Sequence, residues 1–251
     1  MAGLGGQVIG VGGYALWNNL LYAEYARYGT IPDRVQKTIG NGDVSANDHL
    51  KGAADYWRVA VQRDFGPHYV AVGAYGFDAR RYPGNQRDQG DDTLLDAAID
   101  GTWQYTSASG KYLISAYAFA LHERQSLPAS QALGVAANPK DHLDVVRGNL
   151  SYNYESTYGV TVGRFSIRGN PDSLLYAGPS ARPDSSGFVT QFDYTPFGKE
   201  GAPSDHPELN IRLFVQVTTY DRFDGARTNY DGAGRNASDN NTVFTGLWLA
   251  Y

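Results

Sequence analysis

Residues 209–223, LNIRLFVQVTTYDRF, carry the reading that decides the fold. Leu209, Ile211, Leu213, Val215 and Val217 form one alternating set. Asn210, Arg212, Phe214, Gln216, Thr218, Tyr220 and Arg222 form the other. Successive side chains leave a strand on opposite faces, so one face would be oily and the other wet. In a soluble β protein the apolar face meets a core. In a membrane barrel it meets lipid, and the polar face lines the lumen. The pattern defines two faces without saying which looks inward.

Composition narrows the choice. A chain of 251 residues has room for one large all-β domain, and residues 1–251 read as a single domain. Nineteen Tyr against one Met, with 30 Gly, suit strands, tight turns and interfacial rings better than helical bundles. A net charge of −5 with both signs scattered argues against a nucleic-acid partner. The lack of Cys removes disulfides, thiolate catalysis and Cys-ligated metals or haem. No apolar run approaches ~20 residues, which excludes a transmembrane helix. The opening MAGLGG, with no signal peptide ahead of the first strand, reads as an initiating Met before a trimmed mature chain.

The alternation recurs. In residues 143–155, Val146, Gly148, Leu150, Tyr152 and Tyr154 oppose Arg147, Asn149, Ser151, Asn153 and Glu155. In residues 94–106, Leu95, Ala97, Ile99, Gly101, Trp103 and Tyr105 oppose Asp96, Asp100, Thr102 and Gln104. Trp57, Val59 and Val61 oppose Arg58, Gln62 and Asp64; Phe188, Phe192 and Tyr194 oppose Gln191 and Asp193. Residues 111–123 set Leu113, Tyr117, Phe119 and Leu121 against Tyr112, Ala116, Ala118 and Ala120. Residues 68–77 and 158–168 are apolar or small on both faces. One segment has a helical rival, because Thr93 and Asp96 stand at capping-box spacing. We favour the strand there, since GTWQYT continues the alternation past a Gly. PASQALGVAAN reads as a short helix within a loop.

The connectors alternate in length. Asn18–Asn19, GPH, SASG and STYG are tight turns, while the stretches between them are long and polar. FGKEGAPSDHPE is intermediate. Short turns at one end and long loops at the other are the layout of an outer-membrane barrel. The expectation is therefore a transmembrane antiparallel up-and-down β-barrel of about 10–12 strands. About eleven are found, an odd number, whereas single-chain bacterial barrels have even numbers. Either one strand is hidden in the pattern, or strands from an N-terminal segment precede this chain.

The last strand, NTVFTGLWLAY, ends on Tyr251, with Leu249 two residues before it and Gly246 five before. This resembles the C-terminal sorting signal of outer-membrane proteins, which implies recognition by the barrel-assembly machinery. The residue that is usually polar in that signal is Phe244 here. The stretches FVTQFDYTPFGKEGAP and YDRFDGARTNYDGAGRNASDNNTVF are similar to the porin part of the outer-membrane cytochrome–porin fusion family, over roughly the last third of the chain. In that family a haem-binding segment precedes the barrel. Its CxxCH site is absent here, so the resemblance implies the barrel without its redox part, no cofactor, and a periplasmic cytochrome as partner.

Other constellations fail. His49, His68, His122, His142 and His206 lack metal-ligand spacing, so no metal is expected. No G-x-S-x-G pairs a nucleophile with a base, so the chain is not read as an enzyme. Asp224, Asp231 and Asp239 are read as solvated turn residues before Ca²⁺ ligands. The remaining candidates are charges on the wet faces: Arg58, Asp96, Asp100, Arg147, Glu155, Asp193, Arg212 and Arg222. Pointing into a lumen, they would bias which ions pass. Alternatively they pair across strands and plug a narrow barrel. The reading is thus an outer-membrane barrel in contact with lipid or detergent. It would act as a passive pore or as the scaffold of a cytochrome–porin system. The rival from another class is a soluble barrel that binds a small apolar ligand.

Overall fold

Asn18 and Asn19 hold φ at 52° and 51°, left-handed values that Asn tolerates, in the three-residue turn between the paired Trp17 and Leu21. Leu20 N donates to the Trp17 carbonyl at 3.0 Å and closes that turn. From there the chain runs as a meander. The computed structural model describes residues 7–40, 46–197 and 210–250. Its strands are β1 (Val8–Trp17), β2 (Leu21–Thr30), β3 (His49–Leu50), β4 (Ala53–Phe65), β5 (His68–Tyr82) and β6 (Asp92–Thr106). They continue as β7 (Tyr112–Ser126), β8 (Lys140–Tyr154), β9 (Tyr158–Gly169), β10 (Ser185–Tyr194), β11 (Asn210–Arg222) and β12 (Thr242–Ala250). All join one twelve-stranded antiparallel sheet in sequence order, except that the two-residue β3 pairs with β5 off the main path. Two short helices, α1 (Asp33–Thr38) and α2 (Pro128–Ala132), lie in the loops; α2 falls within the stretch PASQALGVAAN. Thr93 and Asp96 lie in β6, not in a helix. The strand wins because its neighbours β5 and β7 supply ladder partners along its length, whereas a lone helix of this length would be marginal.

Burial shows which face curls inward. Ile99 is 64 % exposed while Asp100, the next residue, is 7 % exposed. Across β4 the aliphatic Val59 and Val61 are exposed and Ala60 between them is buried. Over the aliphatic belt, as along β6 from Leu95 to Tyr105, the charges therefore stand on the concave face and most aliphatic and aromatic side chains on the convex one. Nearer the loop end the convex face also carries Arg27, Asp55, Asp78, Arg124, Asp144, Arg164 and Arg168. In β11 the convex set is Ile211, Leu213, Val215 and Val217; each pairs in register with Leu249, Leu247, Thr245 or Val243 of β12. Leu209 lies outside the described residues.

Two elements depart from this parity. In β7 the bulkier apolar set turns inward: Phe119 is opposite Asp100 and Arg147, and Tyr117 opposite Thr102 and Asn149. Its convex face is the small-residue row Ala116, Ala118 and Ala120, with Gly101 and Gly148 beside Ala118. The second departure is a bulge. Gly187 pairs with Tyr220 and Ser186 with Arg222, so Asp221 is an extra residue in β11. It shifts the alternation by one and moves Arg222 to the convex side with Ser186.

The sheet is not closed, so the expected barrel is not formed by the described residues. β1 and β12 are its edges. Ten antiparallel pairings separate them, so the two edge strands run in the same direction and cannot meet in an antiparallel ladder. The short-turn rule also has one exception, since residues 195–209 join β10 to β11 at the turn end; residues 198–209 lie outside those described. A Cβ on Gly187 would stand 1.9 Å from the Thr219 carbonyl oxygen. Gly187→Val should therefore cost about 1–3 kcal/mol through overpacking at the bulge, read as a lowered urea midpoint.

Candidate functional site: the concave wall and its mouth

Strand parity brings six of the eight sequence-derived charges to the concave face. Arg58 reaches across β5 to Asp100 of β6, with Nη2 donating to Oδ1 at 2.7 Å and Nη1 donating to Oδ2. Gly73 makes this crossing possible: an added Cβ there would lie 2.9 Å from Arg58 Nη2. Tyr75 stands beside the pair, its ring centroid 5.9 Å from the guanidinium. Arg147 projects from β8 with no ion pair among the described residues. Nearer the turns, Arg212 Nη2 lies 2.6 Å from Asp193 Oδ1, and Gln191 donates to both Asp193 oxygens at 3.0 Å. A polar cavity of about 470 Å³ opens there, walled by Lys111, Ser151, Asn153, Thr161, Asp193 and Arg212.

The other two charges sit elsewhere. Glu155 is in the β8–β9 turn at φ 50° and faces Lys111 at 3.6 Å. Arg222 follows the bulge to the convex side, where it lies 3.6 Å from Asp184. Sequence parity missed Glu123 and Asp141, both buried on the concave wall beside Asp96 and the loops. Glu123 is in register with Asp96, a pairing that needed the strand register to be seen.

At the loop end, ordered loops fold over the concave face. Leu94 of β6 packs with Leu127, Ala136 and Leu175 from two of those loops. Buried carboxylates anchor both. Asp92 accepts from the Ala129 and Ser130 amides at 3.1 Å, capping the start of α2, and is 0 % exposed. Asp172 accepts from the amides of Ala137, Asn138, Leu174 and Leu175 at 2.8–3.0 Å. Burial alone would raise the Asp172 carboxyl, but these amides outweigh it and hold it at about 2. Its neighbour Tyr176 is pushed up to about 12 by burial, then by the charges of Asp141, Glu123 and Asp172.

On the C-terminal strand, Gly246 and Leu249 face opposite ways. Gly246 lies under the Phe214 ring, whose Cε1 would come within 2.3 Å of an added Cβ, while Leu249 is convex and exposed. Phe244 packs against Phe214 at 5.6 Å between centroids. Tyr251 lies outside the described residues. In the preceding loop Asp231 and Asp239 accept backbone amides of Ala233, Arg235 and Asn236.

The chain is thus an antiparallel β-meander with a charged concave face that loops cover at one end, and a convex face that is aliphatic and aromatic except near the loops. No family model matches it, and no curated protein does.

The mouth should respond to acid. Asp172 has a folded value below that of a free carboxyl, so its contribution is full above about pH 4 and is lost as pH falls through about 2, on the order of 2 kcal/mol. Pepsin cleavage of residues 127–139 and 170–184 should therefore rise as pH drops from 4 to 2, and Asp172→Asn should be cut readily already at pH 4.

Proposed function

We propose that this chain forms the wall of a transmembrane β-barrel of the bacterial outer membrane and serves as a passive pore. One observation carries the reading: between the loop-end charges and the turn-end aromatic row, the sheet keeps its charges on the concave face and exposes its aliphatic residues on the convex one. A soluble barrel for an apolar ligand needs the opposite arrangement. The convex wall has further membrane features. At the turn end, Trp103, His68, Tyr105, Tyr112 and Tyr152 follow one another at 5.0–6.2 Å between ring centroids. Tyr158 and Tyr194 continue the row at 5.4 Å. Such rows suit the boundary between lipid and water. From Tyr105 to Leu95 along β6, at ~3.4 Å per residue and a tilt of ~40°, the apolar span is about 26 Å, the height of a barrel's lipid-facing band.

The open edges set a condition. In hydrocarbon every backbone group on β1 and β12 needs a partner. Because the two edges run the same way, an odd number of further antiparallel strands satisfies both. The finer form of the proposal is the scaffold of a cytochrome–porin system with a periplasmic cytochrome as partner. It is supported by the texture of residues 188–203 and 220–244.

On the concave wall Glu24, Asp64, Asp92, Asp96, Asp100, Glu123, Asp141 and Asp193 outnumber Arg58, Arg81, Arg147 and Arg212, so the pore should favour cations. In planar bilayers under a KCl gradient the reversal potential should show cation preference, and Arg147→Glu should strengthen it. Anion preference would refute this.

The wall itself is tested at adjacent residues. Leu213→Arg should cost roughly 2–4 kcal/mol of stability in lipid, and Arg212→Ala far less. Leu213→Cys should be quenched by a lipid-borne probe and Arg212→Cys labelled by a water-soluble maleimide. The reverse pattern would mean the faces are assigned backwards.

A further inference from the structure

Where the apolar belt ends on the convex face, the bulge in β11 helps build a basic cleft. Arg164 and Arg168 leave β9 on the convex side, just beyond Val162, and Ser186 lies alongside on β10. Asp221 and Arg222 arrive through the bulge. Arg227, from the loop after β11, donates Nε to the Asp221 carbonyl at 3.3 Å. Together they wall a cleft of about 400 Å³ with Ile167 and Asp184.

The acids in this cleft are committed to its frame. Asp221 takes Arg164 Nη1 at 2.7 Å and the Ser186 hydroxyl at 2.5 Å. Asp184 accepts the Gly169 amide at 3.0 Å and lies 3.6 Å from Arg222 Nη1. Four guanidinium groups thus face two carboxylates, and Arg168 and Arg227 have no carboxylate partner among the described residues. The Arg164 guanidinium lies 4.4 Å from the Phe188 ring centroid. Stacking of this kind uses the flat face of the group and leaves edge N–H donors free.

We propose that this cleft binds the phosphate monoester of a lipid headgroup. The inference rests on the membrane reading above. The residual positive charge suits a dianion, and guanidinium forks pair bidentately with phosphate oxygens. The source is a lipid because the cleft opens on the wall whose next residues toward the turns, Val162 and Phe188, are exposed and apolar and would lie along acyl chains.

The test uses native mass spectrometry of the detergent-solubilised chain with diacylglycerol phosphate and with phosphatidylcholine of the same acyl chains. The phosphate monoester should be retained at activation energies that strip the choline lipid. Arg168→Gln with Arg227→Gln, which breaks no ion pair, should cut that retention about tenfold. Equal retention of the two lipids, or full retention by the double variant, would overturn the proposal. Displacement of the lipid by millimolar inorganic phosphate would overturn the lipid assignment in favour of free phosphate. Failure of the membrane reading registers separately: the chain would stay folded and monomeric without detergent, and Leu213→Cys would label freely in water, whatever the cleft binds.

Discussion

The backbone ladder is the interaction on which the rest depends. Antiparallel pairing places each residue opposite a fixed partner, so a charge on one strand determines which neighbours share its face. Because Arg58 is concave, Tyr75 and Ala98 are concave too, and the run continues to Leu121 and Val145. The polarity of the molecule is therefore a property of the sheet, with each strand held to it by the next. Concave charges are satisfied chiefly by each other, as in Arg58–Asp100 and Arg212–Asp193, and the convex aliphatics are left for the surroundings.

Much of this architecture could be read from the chain, because a period of two survives in any strand whatever it packs against. Residues 209–223 and 94–106 announced their strands, and Asn18–Asn19 announced its turn. Parity alone, however, gives two faces and no inside. Residues 112–126 show the consequence: the bulkier set, Tyr117 and Phe119, faces the charged wall, and alanines face outward. Arg222 was misplaced for a different reason, since one inserted residue at the bulge reverses the alternation and Asp221 looks like any other position in the sequence. The loop anchors were invisible because they act over distance. Asp92 caps a helix 37 residues further on, and nothing local marks it as a cap.

The mouth and the wall follow different rules. Along the strands, polar groups pair side chain to side chain. In the loops, single buried carboxylates gather backbone amides, Asp172 taking four. Such a hub stiffens two loops with one residue and spares the mouth a hydrophobic plug beyond the small cluster around Leu94. A stiff cap leaves the concave face beneath it to its side chains, where Glu123 and Asp96 stand opposite one another.

Strand parity also decides which compartment each end of the chain can address. β1 starts at the loop end and β12 finishes at the turn end, because an odd number of crossings lies between them. Embedded in a membrane, anything joined directly before Val8 would emerge on one side and anything joined after Ala250 on the other. Adding a single crossing before β1 would bring both ends to the same side. One strand is then the difference between a wall that presents its two ends to two compartments and one that hands both to the same soluble partner.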